Sequence, residues 1–477
     1  MQLLGFWQDL LLLLVVGHYI LAAYLAYVSL QQSRTAQGAM GWVIFLAAAP
    51  FIAIPAFVVL GKSRFPSKVT RRRELRGAAR AIWQERRVNK PVTRNDHSID
   101  QRRVDAFERL AGVPLLGGNA CKLLINGENT FDAVFGAIDR AERYILVSSY
   151  TIRDDIVGCA MRDRLTAAAG RGVTIRILYD GVGSNRLSRH YIDILQSAKI
   201  EVVEFNANRR LGSWFQFNFR NHRKIMVVDG DIGFVGGLNV GDEYLSRNPR
   251  FVPWRDTHLQ VKGPVVAEIQ LAFAEDWLWA TDRPLDLNWD PVDIEGNTDA
   301  VIIAPGPADP IESGSLYFCN AIGAARERLW IASPYFVPDT DILTALKLAA
   351  LRGVDVRILV PGRPDHLTVW LAAFPHFDIV RDAGVKIYQY RDGFMHQKVL
   401  LVDDDIASVG SINLDNRSCR LNFEITLVGI GQQFASDVAA MLLEDFAEAD
   451  LLEISIDEQP RLLRMGAHFA RLLAPIL

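Results

Sequence analysis

The sequence predicts an α/β protein, a duplicated sandwich of strands and helices, preceded by an N-terminal two-helix transmembrane hairpin. Three observations predict it. A short polar motif occurs twice, at Asn221–Asn239 and Met395–Asn413; the strand and helix phrases around it recur in the same order; and two uncharged apolar runs of crossing length lie within the first 60 residues.

In chain order, Leu10 to Leu30 is apolar apart from His18 and a few weakly polar residues. A bilayer core is crossed by about 20 such residues. The run GWVIFLAAAPFIAIPAFVVL, Gly41 to Leu60, is again uncharged and long enough, and Pro50 and Pro55 are tolerable where a membrane bundle re-satisfies the backbone groups that a kink frees. The opening MQLLGFWQD has no Lys or Arg, which argues against a cleaved signal peptide. Residues 1–61 are therefore read as the hairpin, with His18 a packed residue rather than a ligand.

Composition then inverts. From Lys62 to Lys90, eleven Lys and Arg stand against Glu74 and Glu85, a local charge of +9. Residues 1–61 carry only Asp9 and Arg34, so with a net charge of −3 the remainder, 91–477, sums to −12 (−3 minus +9). Residues 62–108 are read as a basic juxtamembrane linker that places the body on the cytoplasmic side of a multi-pass membrane protein. Anionic head groups attract such a collar. The acidic body argues against nucleic acid as a partner, since that would call for a broad basic face. Four scattered cysteines, Cys121, Cys159, Cys319 and Cys419, show no C-x-x-C spacing and point to neither a zinc site nor a disulfide framework.

The body divides into 109–295 and 296–477. AERYILVSSY (141–150) is answered by ARERLWIASPY (325–335), each an apolar, β-branched run that reads as a buried strand. RGVTIRILYD (171–180) is answered by RGVDVRILVP (352–361), a helix end, a Gly stop and another buried strand. Helical stretches such as Cys159–Ala169 and Ile342–Leu351 alternate with these strands, as in an α/β layer. The first half carries an extra stretch, NANRRLGSWFQFNFR (206–220), whose Arg and aromatic content would suit either a substrate entrance or a surface insertion.

Each motif is His-x-Lys, four residues, Asp, and a Gly-x-x-Asn ending ten residues beyond the Asp. The copies supply His222, Lys224, Asp229 and Asn239, and His396, Lys398, Asp403 and Asn413. Lys224–Val228 and Lys398–Val402 read as short strands, so His222 and Lys224, two apart, share a face while Asp229 falls at the turn as a brace. After each motif an acidic residue heads a strand, Asp256 before THLQVKG and Glu424 before ITLVGI, where a carboxylate would orient an imidazole. One imidazole of such a pair can attack phosphorus while the other protonates the departing alkoxide, with lysines and asparagines around the phosphoryl oxygens. That chemistry requires neither metal nor cofactor.

The doubled H-x-K-x4-D with trailing G-G/S-x-N resembles the signature of the phospholipase D superfamily. The two-span N-terminus, the collar and the phrases RNHRKIMVVD, PWRDTHLQV and GSINLDNRSCRLNFE make the whole length similar to its bacterial cardiolipin synthases. The resemblance implies a duplicated phospholipase D-like sandwich with the active site between the halves, in the bacterial inner membrane. It also implies phosphatidyl transfer from one phosphatidylglycerol to another through a phosphohistidine on His222, with His396 as acid and then base, although the motif symmetry alone admits the reverse roles. Other phospholipids are candidate acceptors, and an oligomer is compatible with it. Asn239, Asn413, Ser411, Asp256 and Glu424 would complete the substrate pocket, Ser411 facing Gly237 of the other copy. A hydrolase that opens the same intermediate with water, and a lipid-binding scaffold, are the competing readings. The C-terminal PRLLRMGAHFARLLAPIL suits an amphipathic helix that packs on the body or lies at the membrane surface.

Overall fold

In the computed structural model the residues described are 2–33, 36–61, 100–205, 219–290, 294–307, 309 and 311–474, with Glu74, Gly77 and Ala81. The collar and most of the 206–220 stretch lie outside them. The chain divides into two units, Met1–Glu74 with Asn208–Phe219, and Leu75–Ala207 with Arg220–Leu477.

In the first unit a helix covers Gln2–Gln32, and its Phe6–Gln32 portion is long and apolar enough to cross a membrane. The second apolar run is not one helix. It divides into Ala36–Ala48, Pro50–Ala56 and a π turn at Phe57–Gly61. The break falls at Ala49 (φ −143°, ψ 60°), because the ring of Pro50 disfavours helical backbone at the residue before it. The pieces still pack: Ala22 and Leu25 of the long helix form a small core with Leu46, Ala53 and Phe57. His18 belongs to this packing, its ring 4.8 Å from that of Phe51 and its Nδ1 2.9 Å from the Leu14 carbonyl.

The second unit is a mixed α/β body. Its strands run outward from a central antiparallel seam, where Leu116 faces Ala300 and Asn119 faces Thr298. On one side the order is Leu116–Ile125, Thr257–Lys262, Ile232–Gly236, Ile225–Val228, Tyr144–Ser149, Thr174–Asp180 and Glu201–Phe205. On the other it is Thr298–Ile303, Thr426–Ile430, Ile406–Gly410, Val399–Val402, Arg328–Ala332, Asp355–Pro361 and Lys386–Tyr390, closed by Ala449–Leu451. Tyr144–Ser149, Thr174–Asp180 and Glu201–Phe205 pair parallel, as do Arg328–Ala332, Asp355–Pro361 and Lys386–Tyr390, through helices such as Ile156–Gly170 and Thr340–Leu351, as a crossover connection requires, and the edge strand Ala449–Leu451 is antiparallel. Strands covered on both faces are largely apolar, and Tyr144–Ser149, Ile225–Val228 and Val399–Val402 are buried at every position.

Two expectations are corrected. The boundary at residue 108 cuts a helix, Gln101–Ala111, that belongs to the body. Its Val104, Phe107 and Ala111 are buried, and Arg103 donates to Asp403 (2.6 Å), Asp405 (2.6 Å) and the Ala324 carbonyl (3.1 Å). Amphipathic spacing, not the neighbouring basic run, decides where this segment goes. The motif strands also start one residue later than expected, at Ile225 and Val399, because His-x-Lys is spent on a connection to the opposite half.

Candidate active site

Two short parallel bridges carry the histidines. Arg220–Asn221 pairs with Asn422–Phe423, and Phe394–Met395 pairs with Trp254–Arg255. Each bridge joins opposite halves, and each continues one residue further: the His222 amide donates to the Phe423 carbonyl at 2.9 Å and the His396 amide to the Arg255 carbonyl at 2.7 Å. The residues following these carbonyls are Glu424 and Asp256. Glu424 therefore meets His222, both carboxylate oxygens 2.9 Å from Nδ1, and Asp256 meets His396, Oδ2 2.9 Å from Nδ1. Each orienting carboxylate comes from the other half. A carboxylate at Nδ1 holds the proton there and makes Nε2 the basic atom. Tyr150 flanks the His222 ring at 5.0 Å and Trp254 flanks that of His396 at 5.3 Å.

The lysines fold back on their own histidines. Lys224 Nζ donates to the His222 carbonyl at 2.7 Å, and Lys398 Nζ contacts both the His396 carbonyl and, at 2.9 Å, its Nδ1. His222 and Lys224 are thus brought together, as are His396 and Lys398.

The electrostatics couple the two halves. Burial, reinforced by Lys224, Lys398 and His396, holds His222 well below 6.5. Burial and Lys398 lower His396, with Asp256 pulling the other way. Burial brings Lys224 down to about 7 and Lys398 down to about 8. The carboxylates diverge. Burial raises Glu424 to about 7, whereas at Asp256 the hydrogen bond and charge of His396 outweigh burial and hold the carboxyl below its usual 3.8. Asp256 is therefore the more firmly ionised of the two carboxylates.

Asp229 and Asp403 lie at the far ends of the motif strands from the histidines, at hairpin turns with φ of 58° and 51°. Asp229 accepts from the amides of Glu142 (2.9 Å), Arg143 (2.6 Å) and Tyr144 (2.8 Å). Asp403 accepts from those of Arg326 (3.1 Å), Glu327 (2.9 Å) and Arg328 (3.1 Å). Each carboxylate thus ties the end of its motif strand to the start of the antiparallel neighbour, Tyr144–Ser149 or Arg328–Ala332. Asn239 is engaged by the protein itself, through the Thr151 amide at 3.2 Å and the Tyr244 hydroxyl at 2.6 Å. The amide oxygen of Asn413 is buried and has no partner among the described residues. Ser411 requires a correction. It is fully buried behind Glu424, donates to Oε2 and accepts from the Ile425 amide at 3.0 Å, so it sets a carboxylate rather than a substrate. Its counterpart Gly237 has no room for a side chain: a Cβ there would stand 2.0 Å from Asp256 Oδ1.

Several residues went unread. Arg223, the middle residue of the first motif, is fully buried, paired with Asp276 at 2.9 Å and bonded to the carbonyls of Glu424 (2.9 Å), Ala272 (3.1 Å) and Ala304 (3.0 Å). The second motif has Gln397 there, and the guanidinium comes instead from Arg255, bidentate to Asp445 at 2.6 and 2.7 Å while Gln397 donates to the same carboxylate at 2.7 Å. The signal was present as a repeated Glu-Asp-aromatic, Glu275-Asp276-Trp277 and Glu444-Asp445-Phe446. Arg417, close enough to act on the charge of His222, is a further cation at the site.

The family described as cardiolipin synthase, PLD-like domain, matches residues 134–277 and 318–446. Cardiolipin synthase A of Pseudomonas putida (strain GB-1) is 44% identical over 453 residues, covering 93% of this chain and 94% of that protein. Cardiolipin synthase A of Pseudomonas aeruginosa (strain LESB58) is 44% identical over 480 residues, covering 98% and 96%. Among solved structures, phosphatidylserine synthase of Haemophilus influenzae Rd KW20 superposes with a TM-score of 0.63 at 16% identity, covering 79% of this chain and all of that one, a likeness of fold. The chain belongs to the cardiolipin synthase family of phospholipase D-like proteins.

Proposed function

We infer that this chain is a phosphatidyltransferase that makes cardiolipin from two phosphatidylglycerol molecules. The observation that carries the mechanism is the crossed pairing, His222 with Glu424 and His396 with Asp256. It presents two imidazoles with Nδ1 already committed and Nε2 as the reactive atom of each.

The unequal carboxylates break the motif symmetry. His222, pressed by burial and three neighbouring cations, stays neutral and suits a nucleophile. His396 faces the firmly ionised Asp256, which stabilises the imidazolium a general acid requires. In the first step His222 Nε2 attacks phosphorus, the P–O bond to glycerol breaks, and the His396 proton passes to the leaving oxygen. In the second, the hydroxyl of another phosphatidylglycerol returns its proton to His396 and attacks phosphorus, breaking the N–P bond. Atoms and charge balance, and glycerol is the only by-product. Lys224, Lys398, Asn239 and Asn413 serve the phosphoryl oxygens, and Asp229 and Asp403 position the motif strands.

The two halves, in this reading, are repeats of one phospholipase D-like unit with the site between them. The N-terminal segments form a membrane hairpin, and the +9 collar places the body at the cytoplasmic face. The test is incubation of purified protein with labelled phosphatidylglycerol. Wild type should yield labelled cardiolipin and free glycerol, and His222→Ala or His396→Ala should yield none. Synthesis at the wild-type rate by either variant would overturn the assignment, and phosphatidic acid as the main product would mark a hydrolase.

A further inference from the structure

The C-terminal helix, Arg461–Arg471, continues through a final turn to Ala474 and carries three distinct stripes. At about 100° per residue, Leu463, Gly466, Ala467, Ala470 and Ala474 fall on one side. Ala467, Ala470 and Ala474 are buried, and Ala470 and Ala474 pack with Ala372 and Val337 of the body. The next arc holds Arg461, Arg464, His468 and Arg471. The third holds Leu462, Met465, Phe469, Leu472 and Leu473, of which Leu462 is 84%, Phe469 68% and Leu472 74% exposed. The small-residue stripe explains how the helix docks on the body. Among the described residues, none covers the large apolar stripe.

We propose that this stripe is a bilayer-docking surface that seats the body on anionic phospholipid. A helix whose large apolar residues face outward beside a line of arginines has the chemistry of the interface: side chains enter the acyl boundary while guanidiniums meet phosphates. Charge complementarity favours a lipid surface over another protein, because the proposed substrate is itself an anionic lipid. The helix's location supports the same occupant. It lies on the helix Leu367–Arg381, which begins two residues after Asp365, and Asp365 acts on the charges of both His396 and Lys398. The Ala474 carbonyl accepts from Asn416 Nδ2 at 3.1 Å, next to Asp415 and Arg417. A surface held there brings the bilayer to the second-half side of the site.

This inference rests on the lipid-substrate reading above, and its experiment separates the two. A benzoylphenylalanine placed at residue 469 of the full chain, reconstituted in phosphatidylglycerol vesicles, should cross-link to lipid more strongly than one at exposed Leu443. Chain-to-chain adducts, marking a second copy as the occupant, or lipid labelling no stronger than at Leu443, would overturn it. In parallel, Phe469→Glu with Leu472→Glu should raise KM for bilayer-presented phosphatidylglycerol by about tenfold or more, leaving turnover of a monomeric short-chain analogue unchanged. An unchanged bilayer KM would overturn the proposal, and if both substrates suffer equally the cross-link decides. Failure of the wild type to convert either substrate would instead overturn the functional reading.

Discussion

Glu424 holds His222 across 202 residues of sequence, with both carboxylate oxygens 2.9 Å from Nδ1. The reciprocal contact, Asp256 to His396, spans 140 residues in the same manner. Each imidazole thus meets a carboxylate from the part of the chain that carries the other motif.

Glu424→Gln should therefore impair the His222 step although it lies in the other half. Loss of an orienting carboxylate costs about 10²–10⁴-fold in rate. The measurement is kcat for cardiolipin formation by Glu424→Gln beside wild type, with thermal unfolding to show that the variant is folded; a folded variant within a few-fold of the wild-type rate would count against the pairing.

The pH dependence follows from the directions of the shifts. His222 is held below 6.5, so its neutral form persists into mild acid and is lost only as pH falls through that lowered value. Lys224 and Lys398, at about 7 and about 8, lose their charge as pH rises through those values, weakening the hold on an anionic phosphodiester. KM for phosphatidylglycerol should climb between about pH 7 and 9 in the free enzyme, more steeply than kcat falls. A KM flat across that window would contradict the buried-lysine picture.

The buried ion pairs are structural, and stability is where they should register. Arg223→Ala removes the guanidinium facing the buried Asp276, which also accepts from Asn221 Nδ2 at 3.0 Å, and should destabilise the body by about 3–5 kcal/mol. Replacing both partners, Arg223→Met with Asp276→Leu, should recover much of that loss. Thermal unfolding in detergent reads both, and a double variant as unstable as the single would show that the carbonyl bonds of Arg223 matter more than its charge.

Asp229 separates a brace from a reactant. Asp229→Asn keeps an acceptor and tolerates φ of 58°, so kcat should stay within a few-fold while the melting temperature drops slightly. Asp229→Ala removes the acceptor for three amides and should destabilise by about 2–4 kcal/mol. A loss of kcat in the Asn variant comparable to that of His222→Ala would return Asp229 to the chemistry.

The sequence by itself determined the α/β class of the body, the recurrence of its phrases, both His-x-Lys pairs and the turn position of each motif aspartate. These are local properties: burial on both faces forces continuous apolar strands, and a period of two places alternate residues on one face. Only the tertiary structure decided which carboxylate serves which histidine, that Ser411 faces Glu424, that Gln397 and Arg255 together replace the role of Arg223, and that Gln101–Ala111 joins the body. Each depends on two segments more than 100 residues apart, or on opposite sides of a buried carboxylate, meeting at hydrogen-bond distance. No periodicity along the chain encodes that; the seam at Leu116 and Ala300 and the two short bridges between the halves do.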